Sequence, residues 1–181
     1  MKKTKFKLTD QIEFNIDRDS SRAFEYFTFR SDEMVEEMKV FLEKSAGKKC
    51  FMDIGSLYGV FSLGFAAINP ESKAIAVEPS AKPFEILNNN MKLNPEYNID
   101  AHNVAIGSSK GKIKMKYEWQ HLVAIGENEE VDKFEEINVE ALDEFVKTCG
   151  VTPDIIKIDT EGYEYDVLLG GQEFLKAHKP V

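Results

Sequence analysis

The sequence predicts an α/β fold in which helices cover both faces of a doubly wound, mostly parallel sheet. Short apolar runs alternate with helical segments along most of the chain, and the runs are apolar on both faces. Parallel strands have this composition because helices bury both sides of the sheet. The strands predicted in this way are residues 50–54, 73–77, 99–106 and 154–158.

Helices are predicted between these strands, and the clearest helix follows Ser31. Serine is a favourable N-cap, two acidic residues occupy the first turn, and Gly47 is a typical helix terminator. Apolar residues repeat at helical spacing on one face, at Met34, Val35, Met38, Phe41 and Leu42. Further helices are predicted at residues 60–68, after Ser80, and at residues 141–147.

Two sections depart from this alternation. In residues 1–30 only the stretch KFKLTDQIEFNI alternates enough to predict a strand, which we place at the periphery. Residues 111–137 contain the period-two stretch KIKMKY, then HLVAIG, an acidic run and EEINV, which predict an inserted hairpin or extra antiparallel strands. We therefore expect residues 1–46 to form a strand and an amphipathic helix that pack on a domain of residues 47–181, in one globular unit.

Composition and charge favour a soluble protein with small-molecule partners. Of the 181 residues, 43% are hydrophobic and 30% are charged, which is typical of one globular domain. The net charge of -9 argues against a nucleic-acid partner, because that binding relies on clustered lysine and arginine. No apolar run reaches the roughly 20 residues that cross a bilayer, and the basic N-terminal stretch lacks a signal peptide's apolar segment. We expect no membrane partner and a cytoplasmic location.

The turn after the first predicted strand, in the stretch FMDIGSLYGVF, has the outline of a nucleoside-binding loop. Gly55 and Gly59 give the spacing G-x-x-x-G, with Leu57 at the middle position. The dinucleotide motif G-x-G-x-x-G needs a glycine in the middle so that the backbone can approach a pyrophosphate. The missing glycine argues against NAD and FAD. The lack of a Gly-Lys-Ser/Thr sequence excludes a Walker-type phosphate loop.

An acidic residue, Glu78, ends the second predicted strand. It lies near the offset of about 20 residues at which an acidic side chain binds ribose hydroxyls in nucleoside-binding folds. A carboxylate can accept hydrogen bonds from both hydroxyls at once. Ribose binding beside a loop that does not accommodate a pyrophosphate points to S-adenosylmethionine as the cofactor.

Five stretches of the sequence, taken in order, match the motifs of one family. They are FMDIGSLYGVFSL, AIAVEPSAKPFEILNNNMKLN, NVAIGSSKG, INVEALDEF and PDIIKIDTEGYEYDVLLGG. In the same order, these stretches resemble five features of that family: the first motif, the second strand and its helix, the end of the third strand, the segment before the fourth strand, and the fourth strand with its helix. The family is the FkbM-type class I S-adenosylmethionine-dependent methyltransferases. The resemblance covers about residues 47–180 and implies a Rossmann-like methyltransferase sheet.

The resemblance implies a cofactor site and a reaction. The glycine turn (residues 55–59) would support the methionine part of S-adenosylmethionine, Glu78 would hold the ribose, and residues 103–105 would border the adenine. Asp53 would orient the turn or the cofactor's amino group. Because the family is associated with O-methylation, we expect a hydroxyl of a small molecule or sugar as the acceptor. The expected cofactor-binding residues are Asp53, Gly55, Ser56, Gly59, Glu78, Pro79, Asn103, Val104 and Ala105.

Two departures from the family pattern affect these expectations. Ser56 and Leu57 stand where the first motif has alanine and asparagine, which predicts a missing polar contact and weaker cofactor binding. The sequence also stops at AHKPV, where the resemblance places the start of a fifth strand. We therefore expect a sheet that is truncated after the fourth strand and its helix. Its open edge would allow a homo-oligomer to form by strand pairing.

Asp159 and Glu161 follow the fourth predicted strand and are the candidate catalytic residues. A positioned base that takes the proton of an alcohol acceptor typically adds about 10²–10⁴-fold to the rate. The alternative is that Asp159 orients its loop and Glu161 caps or touches the cofactor. His121 is a less favoured base, and structural roles are favoured for His102 and Trp119.

No metal site is expected. Asp159 and Glu161 could hold Mg²⁺, but two acids two positions apart in an acidic protein are weak support for such a site. Cys50 and Cys149 have neither disulfide nor metal-ligand spacing, and they precede strands that are neighbours in a methyltransferase sheet. We expect both to be packed, reduced thiols that lie close together, away from the cofactor.

Two other functions are kept as alternatives. A non-catalytic module on the same fold would have lost cofactor binding through Leu57 and the truncation, or would serve as an assembly subunit. Saturable binding of S-adenosylhomocysteine would count against it. A nicotinamide-dependent oxidoreductase is disfavoured by the missing middle glycine, and a thermal shift with NAD alone would favour it.

Overall fold

The computed structural model describes residues 3–18, 31–118, 121–125 and 131–181. None of the helices within these ranges is long and apolar enough to cross a bilayer. In chain order the elements are β1 (Lys3–Lys7), β2 (Glu13–Asp17), α1 (Asp32–Ser45), β3 (Cys50–Ile54), α2 (Val60–Ile68), β4 (Lys73–Val77), α3 (Ala81–Lys92), β5 (Ile99–His102), β6 (Ala105–Gly107), β7 (Gly111–Glu118), β8 (His121–Ala124), β9 (Glu135–Ala141), α4 (Leu142–Cys149), β10 (Ile155–Ile158), α5 (Glu164–Gly170) and α6 (Gln172–His178).

The central sheet is parallel and has the strand order β10-β3-β4-β5. The chain adds β4 and β5 on one side of β3 and later returns to add β10 on the other side, so the winding reverses between β3 and β10. This order confirms the predicted doubly wound α/β fold. In such sheets ligands bind beside the reversal, at the carboxyl ends of the strands.

Helices bury both faces of the central sheet, as its apolar composition requires. On one face the ring of Phe51 packs against Phe41 of α1 and Phe65 of α2, with ring centroids 5.0 and 5.2 Å away. On the other face Met52 packs in a cluster with side chains of α4, α5 and α6, such as Phe145. Alternate residues of β3 therefore anchor two separate helical layers.

The inserted section forms most of a second sheet, with the strand order β6-β9-β7-β8. β7 pairs antiparallel with both β8 and β9, and β6 pairs parallel with β9. The prediction of extra antiparallel strands in this section is therefore confirmed.

The prediction of one strand over residues 99–106 is wrong, because this stretch is divided into β5 and β6, which belong to different sheets. Val77, the last residue of β4, pairs with His102, so β4 offers no partner to the following residue. There Asn103 Nδ2 donates hydrogen bonds to the carbonyl oxygens of Glu78 and Pro79, at 2.9 Å each. The chain leaves the central sheet at this point and joins the second one.

The prediction of a single N-terminal strand is also wrong, because β1 and β2 form an antiparallel hairpin. Thr9 stabilises the turn: its Oγ1 accepts hydrogen bonds from the amides of Gln11 and Ile12, at 3.2 and 3.1 Å. The buried rings of Phe6 and Phe14 meet across the strands with centroids 5.7 Å apart. The hairpin is therefore part of the hydrophobic core.

The predicted amphipathic helix is confirmed as α1. The hydroxyl of Ser31 caps it by accepting a hydrogen bond from the Met34 amide at 3.3 Å. Met38 and Phe41 are buried, whereas Val35, which the pattern predicts on the same face, is 44% exposed. The buried face packs against α2 and brings the start of α1 to the carboxyl end of the central sheet.

The outer edge of β10 pairs with the last residue of the sequence. The Val181 amide donates a hydrogen bond to the Asp154 carbonyl, and the Ile156 amide donates one to the Val181 carbonyl, at 3.0 Å each. The edge that the sequence predicted to be open is thus occupied, at this position, by the chain's own backbone.

Candidate functional site

A cavity of about 310 Å³, which we call the cleft, opens at the carboxyl ends of β3, β4 and β10. The segments that follow these strands supply residues 54–57, 77–80 and 159–161 to its walls. The rest of the lining comes from the start of β6, part of β7, two residues each of α1 and α2, Lys157 of β10, and Tyr163. The cleft therefore lies at the reversal in strand order, where this fold class binds its ligands.

The structure brings most of the predicted site residues together. Asp53, Gly59 and Asn103 do not line the cleft and support its walls from behind. The predicted residues that do line it are Gly55, Ser56, Glu78, Pro79, Val104, Ala105, Asp159 and Glu161.

Glu78 lies in the wall of the cleft at the end of β4 and is 5% exposed. Its Oε2 accepts a hydrogen bond from the Leu57 amide at 2.9 Å, and its Oε1 accepts one from the Ser80 amide at 2.8 Å. Burial raises the pKa of Glu78 above its usual value, and these hydrogen bonds act in the opposite direction. Because each carboxylate oxygen has a second lone pair, Glu78 can accept further hydrogen bonds from the hydroxyls of a ligand.

The glycine turn contains three residues with left-handed backbone. Gly55 has φ +81° and Gly59 has φ +87°. A Cβ on Gly55 would lie 1.8 Å from the Asp159 carbonyl oxygen, so only glycine lets the two loops approach each other. Leu57 has φ +50°, which is unfavourable for a leucine and is better tolerated by asparagine. The asparagine of the family's first motif thus has a conformational explanation at this position.

Two buried side-chain oxygen atoms near the turn have no hydrogen-bond partner among the described residues. Asp53 is fully buried and accepts a hydrogen bond at Oδ2 from the Ser62 hydroxyl at 2.8 Å. Its Oδ1 has no hydrogen-bond partner among the described residues. Burial raises the pKa of Asp53, whereas the charge of Lys157 and the Ser62 hydrogen bond lower it. The hydroxyl of Ser56, a residue that lines the cleft, is also buried without a partner in the part of the chain that is described.

The candidate catalytic residue Asp159 is paired with a lysine. The Nζ atom of Lys157 lies 2.9 Å from Asp159 Oδ2 and 4.7 Å from the centre of the Phe61 ring. The lysine side chain is 12% exposed and that of Asp159 is 60% exposed, so the ammonium group lies within the wall and the carboxylate lies nearer the solvent. Asp159 lines the cleft, and its Oδ2 is engaged by the lysine.

Glu164 shapes the loop that carries Glu161. Its Oε1 accepts hydrogen bonds from the Thr160 amide at 2.9 Å, the Thr160 hydroxyl at 3.1 Å and the Gly162 amide at 3.1 Å. Glu161 and Gly162 have positive φ, of +55° and +102°. Hydrogen bonds from its own amide and from those of Thr160 and Gly162 lower the pKa of Glu164 to about 2.

Three charged residues of the site are absent from the sequence predictions: Lys157, Glu164 and Glu37 of α1. Lys157 could have been predicted from the sequence, because it is the one charged residue in the otherwise apolar strand IIKI. Glu164 and Glu37 could not. Acidic residues are common in first helical turns and at exposed helical positions, so their type and spacing do not mark them.

Of the remaining polar candidates, Cys50, Cys149 and His102 do not line the cleft. Burial raises the pKa of Cys50 to about 11, with smaller electrostatic contributions that include one from Cys149. This is consistent with packed thiols that lie near each other. The ring of His102 packs edge-on against Phe145, with centroids 5.2 Å apart. Trp119 and the side chain of His121 lie outside the described residues. Within the described ranges, no group of three or more His, Cys, Asp or Glu could hold a metal ion.

The solved structures to which this chain is similar include methyltransferases. The SAM-dependent methyltransferase from Agrobacterium tumefaciens has 15% identity and a TM-score of 0.50, over 97% of this chain and 48% of that chain. Precorrin-6y C5,15-methyltransferase from Geobacter metallireducens has 14% identity and a TM-score of 0.48, over 80% of this chain and 71% of that chain. TYW2 from M. jannaschii, in complex with AdoMet, has 21% identity and a TM-score of 0.39, over 55% of this chain and 42% of that chain. The chain spans less than half of the first and third of these structures.

Sequence comparison identifies the family. Among curated proteins, no sequence matches the chain significantly. The sequence model described as "Methyltransferase FkbM domain" matches residues 53–181, which include the glycine turn, Glu78 and the loop at Asp159. The resemblance noted in the sequence is therefore confirmed, and the chain belongs to the FkbM family of S-adenosylmethionine-dependent methyltransferases.

Proposed function

We propose that this protein transfers a methyl group from S-adenosylmethionine to a hydroxyl group of a small molecule or sugar. Membership of the FkbM family supports the cofactor and the transfer. The structural observation that carries the proposal is Glu78, whose carboxylate is buried in the wall of the cleft beside the glycine turn.

The residues of the cleft fit this cofactor. Its volume of about 310 Å³ is that of a small-molecule site. Glu78 has lone pairs for two ribose hydroxyls, and the Ser56 hydroxyl, which has no partner among the described residues, offers a polar contact if its side chain rotates toward the cleft. We assign cofactor binding to Glu78, Pro79, residues 55–57 and residues 104–105, with Asp53, Gly59 and Asn103 as supports of those segments.

S-adenosylmethionine would supply an activated methyl group, whose carbon bonds in line to an acceptor oxygen as its bond to sulfur breaks and S-adenosylhomocysteine leaves. The protein's part is to hold the two reactants in that geometry, and such positioning can supply about 7–11 kcal/mol of the barrier. We assign the acceptance of the hydroxyl proton to Asp159 or Glu161, which lie at the cleft. Lys157 binds Oδ2 of Asp159 at 2.9 Å, so Oδ1 is the oxygen left to face an acceptor.

Calorimetry with S-adenosylhomocysteine tests the role of Glu78. Wild-type protein should bind it saturably. Glu78→Gln keeps the shape of the side chain but sets an NH₂ group against a backbone amide, so it should bind at least about tenfold more weakly. Glu85→Ala, at an exposed position of α3, is the control and should bind as wild type does. Absence of binding by the wild type would contradict the proposal, as would equal binding by Glu78→Gln.

A second candidate function is a non-catalytic module on this fold, which the unfavourable backbone of Leu57 favours. Transfer of a labelled methyl group to a panel of hydroxyl, amine and thiol acceptors decides between the two. Methylated hydroxyl products support an O-methyltransferase, and transfer to nitrogen or sulfur alone would refute that part. Cofactor binding without any transfer across the panel would favour the module. The predicted cytoplasmic location is testable by cell fractionation.

Proton acceptance is tested by variants of the two carboxylates. Asp159→Asn and Glu161→Gln remove a base without changing the shape of the side chain. The variant that removes the base should lower kcat by about 10²-fold or more while S-adenosylhomocysteine affinity stays near that of the wild type. Undiminished kcat in both variants would show that neither residue is the base.

A further inference from the structure

We propose that Asn90, a buried residue of α3 outside the cleft, is a positioning residue that holds the glycine turn in its ligand-binding conformation and couples it to the N-terminal hairpin. The inference rests on the proposed function to the extent that the cofactor binds at this turn. It concerns a contact between the turn and a helix behind it, which the ligand does not touch.

Asn90 spans two segments that are far apart in sequence. Its side chain is fully buried. The Oδ1 atom accepts a hydrogen bond from the Asp17 amide of β2 at 2.8 Å, and Nδ2 donates one to the Tyr58 carbonyl of the glycine turn at 3.0 Å. These two partners fix the orientation of the side-chain amide, because the reversed orientation would set donor against donor and acceptor against acceptor.

The glycine turn also packs on the same face of α3. A Cβ on Gly59 would lie 2.6 Å from Leu87 Cδ1 and 2.8 Å from Met91 Cε. Asn90 and Met91 lie three and four positions after Leu87, so all three residues share one side of the helix. Two consecutive residues of the turn, Tyr58 and Gly59, are therefore held by this side, one by a hydrogen bond and one by close packing.

This arrangement restrains the strained residue of the turn from both sides. The Leu57 amide donates to Glu78 Oε2 at 2.9 Å, and the carbonyl of the next residue, Tyr58, accepts from Asn90. Leu57 has φ +50°, and such a conformation persists only where the surroundings determine it. Without Asn90 the turn can relax, and a ligand that requires the native turn then binds more weakly in proportion to the population lost.

Asn94, two residues beyond the end of α3, provides a matched control. It is 1% exposed, and its Oδ1 accepts from the Asn15 amide at 2.8 Å. Its Nδ2 donates to the carbonyls of Asn15 and Asn90, at 2.7 and 2.8 Å. Asn94 thus joins the same hairpin to the same helix, but none of its hydrogen bonds within the described residues reaches the glycine turn.

The experiment compares Asn90→Asp and Asn94→Asp in the full chain. Aspartate matches asparagine in shape and keeps the acceptor for the hairpin, but in Asn90→Asp an oxygen replaces the donor that faces the Tyr58 carbonyl. Hydrogen exchange of the ligand-free proteins reports on the turn itself, through the Leu57 amide bound to Glu78 and the Gly59 amide bound to the Ser56 carbonyl at 2.7 Å. Thermal unfolding reports on global stability, and calorimetry gives the affinity for S-adenosylhomocysteine.

Asn90→Asp should speed exchange of these two amides by about tenfold or more and weaken S-adenosylhomocysteine binding by about tenfold, which is 1.4 kcal/mol. Asn94→Asp should lower the melting temperature by about as much as Asn90→Asp does. It should leave the exchange of the turn amides and the affinity for S-adenosylhomocysteine near the wild-type values. Equal effects of the two variants on turn exchange would overturn the proposal, because Asn90 would then act only through stability.

The exchange data separate this proposal from the proposed function. Faster turn exchange in Asn90→Asp alone, in a protein that never binds S-adenosylhomocysteine, supports the positioning role and contradicts the function. If the wild type binds S-adenosylhomocysteine and Asn90→Asp leaves the exchange of the turn amides unchanged, the positioning role is contradicted. If the aspartate variants do not fold, Asn90→Ser and Asn94→Ser shorten the side chains without adding a charge and give the same comparison with the same expected difference.

Discussion

Replacing Leu57 by asparagine should raise the free energy of unfolding, although it removes an apolar side chain. Leu57 has φ +50°, and the left-handed region costs an ordinary L-residue roughly 1–2 kcal/mol. Asparagine occupies this region several-fold more often than most residues. Leu57 is only half-buried, so losing its apolar contacts costs about 1 kcal/mol or less. The expected net gain is about 0.5 kcal/mol.

A comparison with valine makes the prediction sharper. Leu57→Val keeps an apolar side chain, but its branched Cβ is poorly tolerated at positive φ, so this variant should be about 1–2 kcal/mol less stable than Leu57→Asn. Urea unfolding measures both values, and the m-value should not change, since the surface exposed on unfolding is nearly the same. Hydrophobicity alone predicts the opposite order.

The control is the same substitution at a half-buried leucine with helical backbone. Leu175 of α6 is such a position, and Leu175→Asn should lower the free energy of unfolding. If Leu57→Asn were destabilising to the same extent, or if Leu57→Val were at least as stable as Leu57→Asn, the left-handed backbone would not be the dominant energy at this position.

Three other predictions concern the loops around the cleft and the buried thiol. Gly55→Ala should destabilise the protein by about 3 kcal/mol, because its Cβ would lie 1.8 Å from a carbonyl oxygen, whereas Gly47→Ala, also at positive φ but with no atom within 4 Å, should cost about 1 kcal/mol in urea unfolding. The Glu164 pKa of about 2 lies below the ordinary glutamate value of 4.5, so its contribution to stability is present above pH 4.5 and is lost as the pH falls towards 2. Melting curves of wild type and Glu164→Gln should therefore converge on acidification, and a constant difference would contradict this. With a pKa of about 11, Cys50 should react with iodoacetamide about a hundredfold more slowly in the native protein than in urea, as followed by mass spectrometry, and equal rates would refute its burial.

The central sheet could be predicted from the sequence because its signal is local. β3 and β4 are short runs that are apolar on both faces, which only a covered parallel sheet accounts for. The division between β5 and β6 has no such signal. It depends on where β4 ends and on hydrogen bonds from Asn103 to residues 78–79, so it follows from tertiary structure alone.

The candidate site shows the same division. Glu78 and Gly55 could be predicted because they end strands or follow them, where this fold class binds ligands. Glu164 and Asn90 could not be predicted. Glu164 accepts a hydrogen bond from a loop and Asn90 donates one to a loop, and the sequence does not reveal the path of either loop. The hairpin turn could not be predicted for a related reason, since the Thr9 side chain and the Ile12 carbonyl close it through hydrogen bonds that no residue pattern marks.

The position of α1 has a consequence for how specificity can diverge within the family. The family match begins at residue 53, yet Met34 and Glu37 of α1 line the cleft. If the proposed function holds, the matched domain holds the methyl donor, and a segment outside the match supplies part of the lining of the same cleft. A change in that segment would then alter which molecules are admitted without touching the residues assigned to the donor. Grafting a different helix at residues 31–46 is accordingly a route to new acceptors that leaves the parallel sheet intact.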